Sequence, residues 1–110
     1  MIKQSAAATS EYESGVLKFK IVGEIDHHNA RTLRTKMDED IFLYRPTRVE
    51  LELGSVDFMD SSGLGLIIGR LERAGEVGGK LVLRNPSKRV EKVLSLAGIE
   101  RIVTIERDKL

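Results

Sequence analysis

Residues 56–70 read VDFMDSSGLGLIIGR, and within this stretch the spacing of apolar residues changes from that of a strand to that of a helix. Upstream, charged and apolar residues alternate from Arg48 to Leu53, which is typical of a strand with one buried face. Downstream, apolar residues recur at intervals of three and four, which is typical of one helix face. This predicted face consists of Leu64, Ile67, Ile68, Leu71 and Ala74. Ser61 and Ser62 therefore lie at a predicted helix N-terminus.

Two interpretations compete for the polar residues at this junction. The first turn of a helix favours a negative group, because its backbone N–H groups are unpaired and the helix dipole is positive there. A phosphate on one of the serine hydroxyls would be well placed. Ordinary N-capping is the alternative, since Ser and Asp are common cap residues. Capping needs only one side-chain acceptor, however, whereas Asp60, Ser61 and Ser62 supply three in succession.

Three glycines follow the serines and need an explanation of their own. Gly63 and Gly65 could relax the turn, but Gly65 and Gly69 also fall four residues apart on one helix stripe. A glycine in a helix interior costs up to about 1 kcal/mol, so this stripe indicates a contact that requires small residues. Either the domain's own sheet or a partner protein could approach there. We expect Gly69 to face the partner, because the predicted apolar face already fills the inward side.

Length and composition limit the classes of protein that fit. A chain of 110 residues is one domain by size, and its 41% hydrophobic and 32% charged residues are typical of a globular protein. The longest uncharged apolar stretch, Leu64 to Gly69, is far shorter than the roughly 20 residues of a membrane span. Residues 1–10 lack the apolar region of a secretory signal. We therefore expect no membrane span and a cytoplasmic location.

Charge and residue usage exclude further classes. With no cysteine, the chain cannot form disulfides, thiolate metal sites or cysteine nucleophiles. A formal net charge of +1 and an aromatic content of 5% argue against nucleic-acid binding, which needs basic surfaces and stacking platforms. Neither a metal nor a cofactor is expected.

The rest of the chain divides into alternating strands and helices. The predicted strands are residues 3–13, 16–22, 48–53, 80–84 and 101–105. The first predicted helix follows Asp26 or Asn29 as its cap, and the second begins at Ser61 or Ser62. The third carries Pro86 in its first turn and ends at Gly98. The order β-β-α-β-α-β-α-β predicts an α/β fold with right-handed crossovers, in which a mostly parallel sheet begins with an N-terminal hairpin.

This predicted topology brings two distant segments together. In parallel sheets, sites form outside the carboxyl ends of the strands. Residues 23–26 leave the second strand and residues 59–62 leave the third, so both loops should open on the same sheet edge. Asp26, Asp60 and the two serines are therefore expected to share one surface patch.

Other chemistries fit these residues poorly. A serine hydrolase would need a base and an oxyanion hole, but the Gly-x-Ser-x-Gly spacing is absent and His27 and His28 are the only imidazoles. A metal site would need three or four converging ligands, and Asp26 with the two histidines supplies at most a weak set. Both the P-loop and the Gly-x-Gly-x-x-Gly patterns of phosphate binding are missing.

The sequence around the serines resembles a known family signature. Residues 59–65, MDSSGLG, with 66–70, LIIGR, resemble the motif of the bacterial anti-sigma factor antagonists, the STAS-domain family. Residues 23–30, GEIDHHNA, resemble the corresponding element of the sporulation members, which act in the sigma-F pathway. Since the resemblance covers nearly the whole chain, residues 1–110 are expected to form a single STAS domain.

The resemblance implies a regulated protein substrate and not an enzyme. In this family the serine directly after the motif aspartate, here Ser61, is phosphorylated by an anti-sigma factor that is also a serine kinase, and a phosphoserine phosphatase reverses the modification. The unphosphorylated antagonist binds the anti-sigma factor and frees the sigma factor. Ser62 matches a neighbouring position that admits Ser or Thr, and Asp26 matches the aspartate beside the phosphorylated serine. A STAS module of another switch, such as general stress control, is the alternative; a nucleotide-binding or hydrolytic domain fits less well.

Overall fold

The computed structural model describes residues 7–108, in which strands and helices alternate after an initial hairpin. The strands are β1 (Ala7–Glu13), β2 (Val16–Ile25), β3 (Arg48–Met59), β4 (Lys80–Arg84) and β5 (Thr104–Glu106). The helices are α1 (Ala30–Tyr44), α2 (Ser61–Glu76) and α3 (Lys88–Leu96), and a 3-10 turn spans Ile99–Arg101.

All five strands join one sheet in the order β1-β2-β3-β4-β5. The first pair is antiparallel and the other three are parallel, which confirms the predicted hairpin and mixed sheet. The hairpin turn consists of Ser14 and Gly15, whose φ angles of 50° and 84° give the left-handed conformation of a two-residue hairpin loop. Because successive parallel strands are neighbours, each right-handed crossover places its helix on the same side of the sheet.

The pairing register assigns the sheet side chains to two faces. Two rows on the buried face are Leu17–Val49–Leu81 and Phe19–Leu51–Leu83. These residues form one apolar cluster with the inward side chains of all three helices. On the opposite face the rows carry charged residues, for example Lys18 beside Glu50, and Lys20 beside Glu52. The helices therefore cover one face, and the other remains polar.

Several predicted boundaries differ from the structure. The second and third strands are longer, because β3 continues through two register shifts against β2, and these irregularities interrupt the alternating pattern. The last strand begins at Thr104 and not at Arg101, because Arg101 N–H donates to Gly98 C=O at 3.1 Å and closes the 3-10 turn. Pro86 precedes the cap residue Ser87 and so lies outside the first turn of α3.

The predicted first strand extended back to residue 3, and residues 1–6 lie outside the described residues. Within residues 7–108, each helix is too short or too polar to cross a lipid bilayer.

Candidate functional site

The carboxyl ends of β2 and β3 lie side by side, and both candidate loops leave the sheet from there. Ile25 and Met59 are paired in the register, and Asp60 N–H donates to Ile25 C=O at 3.2 Å. Asp26 directly follows Ile25 in the sequence, and Asp60 directly follows Met59. The prediction that the two loops open on the same sheet edge is therefore confirmed.

Asp60 caps helix α2. Its Oδ1 accepts a hydrogen bond from Ser62 N–H at 2.7 Å, and its carbonyl accepts one from Gly63 N–H at 3.0 Å. Its extended backbone, with φ −96° and ψ −166°, is typical of a cap residue. Since Asp60 supplies the cap, Ser61 and Ser62 are the first two helical residues and neither hydroxyl is needed for capping.

The two serines differ in exposure. Ser61 is exposed, and within residues 7–108 its hydroxyl makes no hydrogen bond. Ser62 is half-buried and lines a groove between α2 and α1. A large enzyme can therefore reach Ser61 more readily than Ser62.

Asp26 shapes the loop that leads into α1. Its Oδ1 accepts from the backbone N–H groups of His28 at 2.9 Å and Asn29 at 3.1 Å. In return, Asn29 Oδ1 accepts from Asp26 N–H at 3.1 Å, and Asn29 Nδ2 donates to Glu24 C=O at 2.7 Å. Asn29 occupies the cap position of α1 but makes no side-chain cap bond to it. Sequence reasoning named Asn29 only as a possible cap, although the Asp-x-x-Asn spacing is a signal for such a reciprocal pair.

The three glycines after Ser62 have different surroundings. A Cβ on Gly63 would lie 2.8 Å from Met59 Cβ and 2.9 Å from Met59 Sδ, so this position requires glycine for close packing at the helix start. A Cβ on Gly65 or Gly69 would meet nothing within 4 Å. The stripe of these two glycines therefore faces away from the domain's own sheet.

The inward face of α2 is rotated from the predicted one. Its buried residues are Gly63, Leu66, Ile67, Arg70 and Ala74. Leu64 and Leu71 are only partly buried against the core, and Ile68 is 38% exposed. The prediction for Ile68 was wrong, because the close approach of Gly63 to Met59 sets the rotation of the helix and turns Ile68 outward.

The α1–α2 contact contains a buried ion pair that the sequence did not reveal. Arg70 is only 2% exposed, and its Nε lies 2.9 Å from Asp38 Oδ1. Burial lowers the pKa of Arg70 from its ordinary value, and the carboxylate of Asp38 opposes this effect. This pair ties the two helices together below their N-terminal turns.

Above this pair, a groove of about 500 Å³ opens between the helix starts. It is lined on the α1 side by His27, Ala30, Arg31 and Arg34, and on the α2 side by Ser62, Gly65 and Leu66. Arg31 and Arg34 were missed in the sequence because exposed arginines on a helix usually belong to a solvated face.

The histidines do not complete a catalytic or metal-binding set among residues 7–108. The rings of His27 and His28 lie against each other, with centroids 3.9 Å apart, and no hydrogen bond joins either to Ser61 or Ser62. In the same range, no group of three His, Cys, Asp or Glu side chains is arranged to hold a metal ion.

Comparison with known proteins identifies a family for this chain. The STAS domain model matches residues 7–109. An anti-sigma F factor antagonist from Paenibacillus polymyxa is 36% identical over 95 residues, covering 86% of this chain and 81% of that protein.

Solved structures agree with the sequence comparison. The unphosphorylated form of the anti-sigma factor antagonist SpoIIAA aligns with a TM-score of 0.81 and 31% identity, covering 94% of this chain and 89% of that one. The phosphorylated form of SpoIIAA from Bacillus aligns with a TM-score of 0.73 and 30% identity, covering 94% and 92%.

Proposed function

Since this chain belongs to the STAS-domain family, we propose that it is an anti-sigma factor antagonist that phosphorylation of Ser61 switches off. One observation carries the assignment of the serine. Asp60 caps α2, which leaves the exposed hydroxyl of Ser61 at the first helical position and open to a kinase. Ser62 is the weaker candidate, because it is half-buried in the groove.

The proposed cycle has three protein partners. The unphosphorylated chain binds an anti-sigma factor in the cytoplasm and thereby releases a sigma factor. The anti-sigma factor, acting as a serine kinase, phosphorylates Ser61 and ends the interaction, and a phosphoserine phosphatase restores the active form. The chain itself is a substrate and binding partner in this cycle, not an enzyme. Relatives of this chain are named as anti-sigma factor antagonists, which supports this role.

Phosphorylation would alter the surface more than the fold. A phosphate adds about −1.5 to −2 charge, and the N-terminus of α2 favours a negative group. At the sheet edge, the phosphate joins the carboxylates of Asp26 and Asp60, so negative charge accumulates where a partner docks. That the chain aligns along 94% of its length with both forms of SpoIIAA is consistent with a fold that tolerates the modification.

The docking surface includes the outward stripe of α2. Gly65 and Gly69 leave the helix backbone uncovered, since an added Cβ at either position would meet nothing within 4 Å. Ile68, 38% exposed on the same helix, supplies an apolar contact beside them. A partner can therefore approach the backbone of α2 within about two turns of Ser61, and a phosphate on Ser61 obstructs it.

The assignment is tested by mass spectrometry after incubation with ATP and the anti-sigma F factor of Paenibacillus polymyxa, the organism of the 36% identical relative. We expect one phosphate on the wild-type chain and on Ser62→Ala, and none on Ser61→Ala. Incorporation that persists in Ser61→Ala and disappears in Ser62→Ala would transfer the site to Ser62. Phosphate turnover by the chain alone, without the kinase, would instead indicate an enzyme.

A further inference from the structure

We propose that the groove between the N-terminal turns of α1 and α2 binds an acidic segment of the anti-sigma factor. This inference rests on the proposed function and adds the chemistry of the partner's docking element. The groove has a volume of about 500 Å³.

The charged side chains that line the groove have one sign. Arg31 and Arg34 line it, and no acidic side chain does. Within residues 7–108, neither arginine forms an ion pair, and both are exposed. Asp38, one helical turn after Arg34, is engaged by Arg70, so it does not neutralise them. A carboxylate-bearing segment would therefore find two unpaired guanidinium groups.

The walls of the groove favour a peptide. Ala30 and Leu66 add apolar surface between the arginines, and Gly65 leaves the α2 wall open because a Cβ there would meet nothing within 4 Å. Gly65 also belongs to the outward stripe proposed as the docking surface, so the groove is continuous with that surface. A segment with both acidic and apolar side chains fits this arrangement better than an isolated anion.

The position of the groove explains why phosphorylation prevents binding. Ser62 lines the groove, and Ser61 is the residue directly before it. A phosphate on Ser61 would add negative charge at the rim, where it attracts Arg31 and Arg34 and repels an incoming carboxylate. The same modification would favour the binding of a basic docking segment, because the phosphate would attract it.

The first test compares charge reversals in two helices. The double variant Arg31→Glu/Arg34→Glu reverses the charge of the groove. The control variant Lys88→Glu/Lys92→Glu makes the same charge change at exposed positions of α3. Affinity for the Paenibacillus polymyxa anti-sigma F factor is measured by calorimetry, with melting temperatures as a check on folding. We expect the groove variant to bind about tenfold more weakly or worse and the α3 variant to remain near wild type. Equal affinities would overturn the groove proposal while leaving the proposed function intact.

The second test does not depend on the proposed function. Amide signals are followed by NMR while the wild-type chain is titrated with a synthetic peptide of glutamate, leucine and glycine. A peptide with lysine in place of glutamate, ATP and inorganic phosphate serve as comparison ligands. We expect the glutamate peptide to shift the signals of Arg31, Arg34 and Gly65, and to lose this effect in the groove variant. Shifts produced by ATP and not by the glutamate peptide would overturn the proposal. The absence of shifts with every ligand would overturn it as well.

Discussion

At the scale of single residues, Asp60 and Gly63 determine where α2 begins and how it is oriented. Asp60 binds the backbone N–H of Ser62, and Gly63 allows the helix to touch Met59. Together they place Ser61 at the first helical position with its side chain exposed. The phosphorylation proposal therefore depends on two neighbours that carry no phosphate themselves.

Replacing Ser61 by Asp should leave the fold intact. A carboxylate in the first turn of a helix is neutral or stabilising by about 0.3 to 1 kcal/mol, because it interacts with the positive end of the dipole. Thermal unfolding of Ser61→Asp and wild type would measure this. A large drop in melting temperature would show that the side chain at this position is required for packing and that α2 does not tolerate charge there.

Replacing Gly63 by Ala should destabilise the domain by about 1 to 3 kcal/mol, because the new methyl group overlaps Met59. Gly65→Ala is the matched control on the same helix. It meets nothing within 4 Å and should gain up to about 1 kcal/mol from better helix propensity. Urea unfolding of both variants separates the two effects, and equal stability would contradict the assigned roles of the two glycines.

At the scale of elements, α2 has an inward face for the core and an outward stripe for docking. Gly69→Leu should keep or slightly raise stability, because open space surrounds the position, but it should weaken anti-sigma factor binding. Gly75→Leu is the control, since Gly75 also lies on α2 with nothing within 4 Å of an added Cβ, but is near the other end of the helix. Stability and affinity are measured on the same preparations. A large stability loss in Gly69→Leu would refute the docking role.

The edge strand β5 is held partly by charge. Glu106 Oε1 accepts hydrogen bonds from Arg48 Nη2 and Arg84 Nη1, each at 2.8 Å. The bond from Arg48, and after it the bond from Arg84, hold the pKa of Glu106 below its ordinary value of 4.5. A carboxylate with a depressed pKa stabilises the fold above its unfolded-state pKa, and this contribution is lost as pH falls through the lower folded value.

Glu106→Gln should therefore be less stable than wild type at neutral pH, and the difference should shrink as the pH is lowered below about 4.5. Glu100→Gln provides a control, since Glu100 is exposed and forms no ion pair within residues 7–108. Melting temperatures across the acid range measure the difference. A gap between wild type and Glu106→Gln that stays constant with pH would contradict the proposed ion pairing.

At the scale of the whole molecule, hydrophobic spacing and strand order were sufficient for the fold. They predicted the hairpin, the parallel sheet and the shared edge of Asp26 and Asp60, because right-handed crossovers leave few alternatives. Spacing could not predict the rotation of α2, which depends on contact between Gly63 and Met59. Nor could it reveal the buried Arg70–Asp38 pair or the groove beside Arg31, since these arise only when α1 and α2 pack together.

Phosphate on Ser61 is proposed to control binding while the fold persists. The most direct test is the affinity of one preparation for the anti-sigma factor, measured before phosphorylation, after it, and again after removal of the phosphate by a phosphoserine phosphatase. We predict strong binding, loss of binding and recovery, with little change in melting temperature. Equal affinity in the two forms, or loss of binding accompanied by unfolding, would contradict the claim.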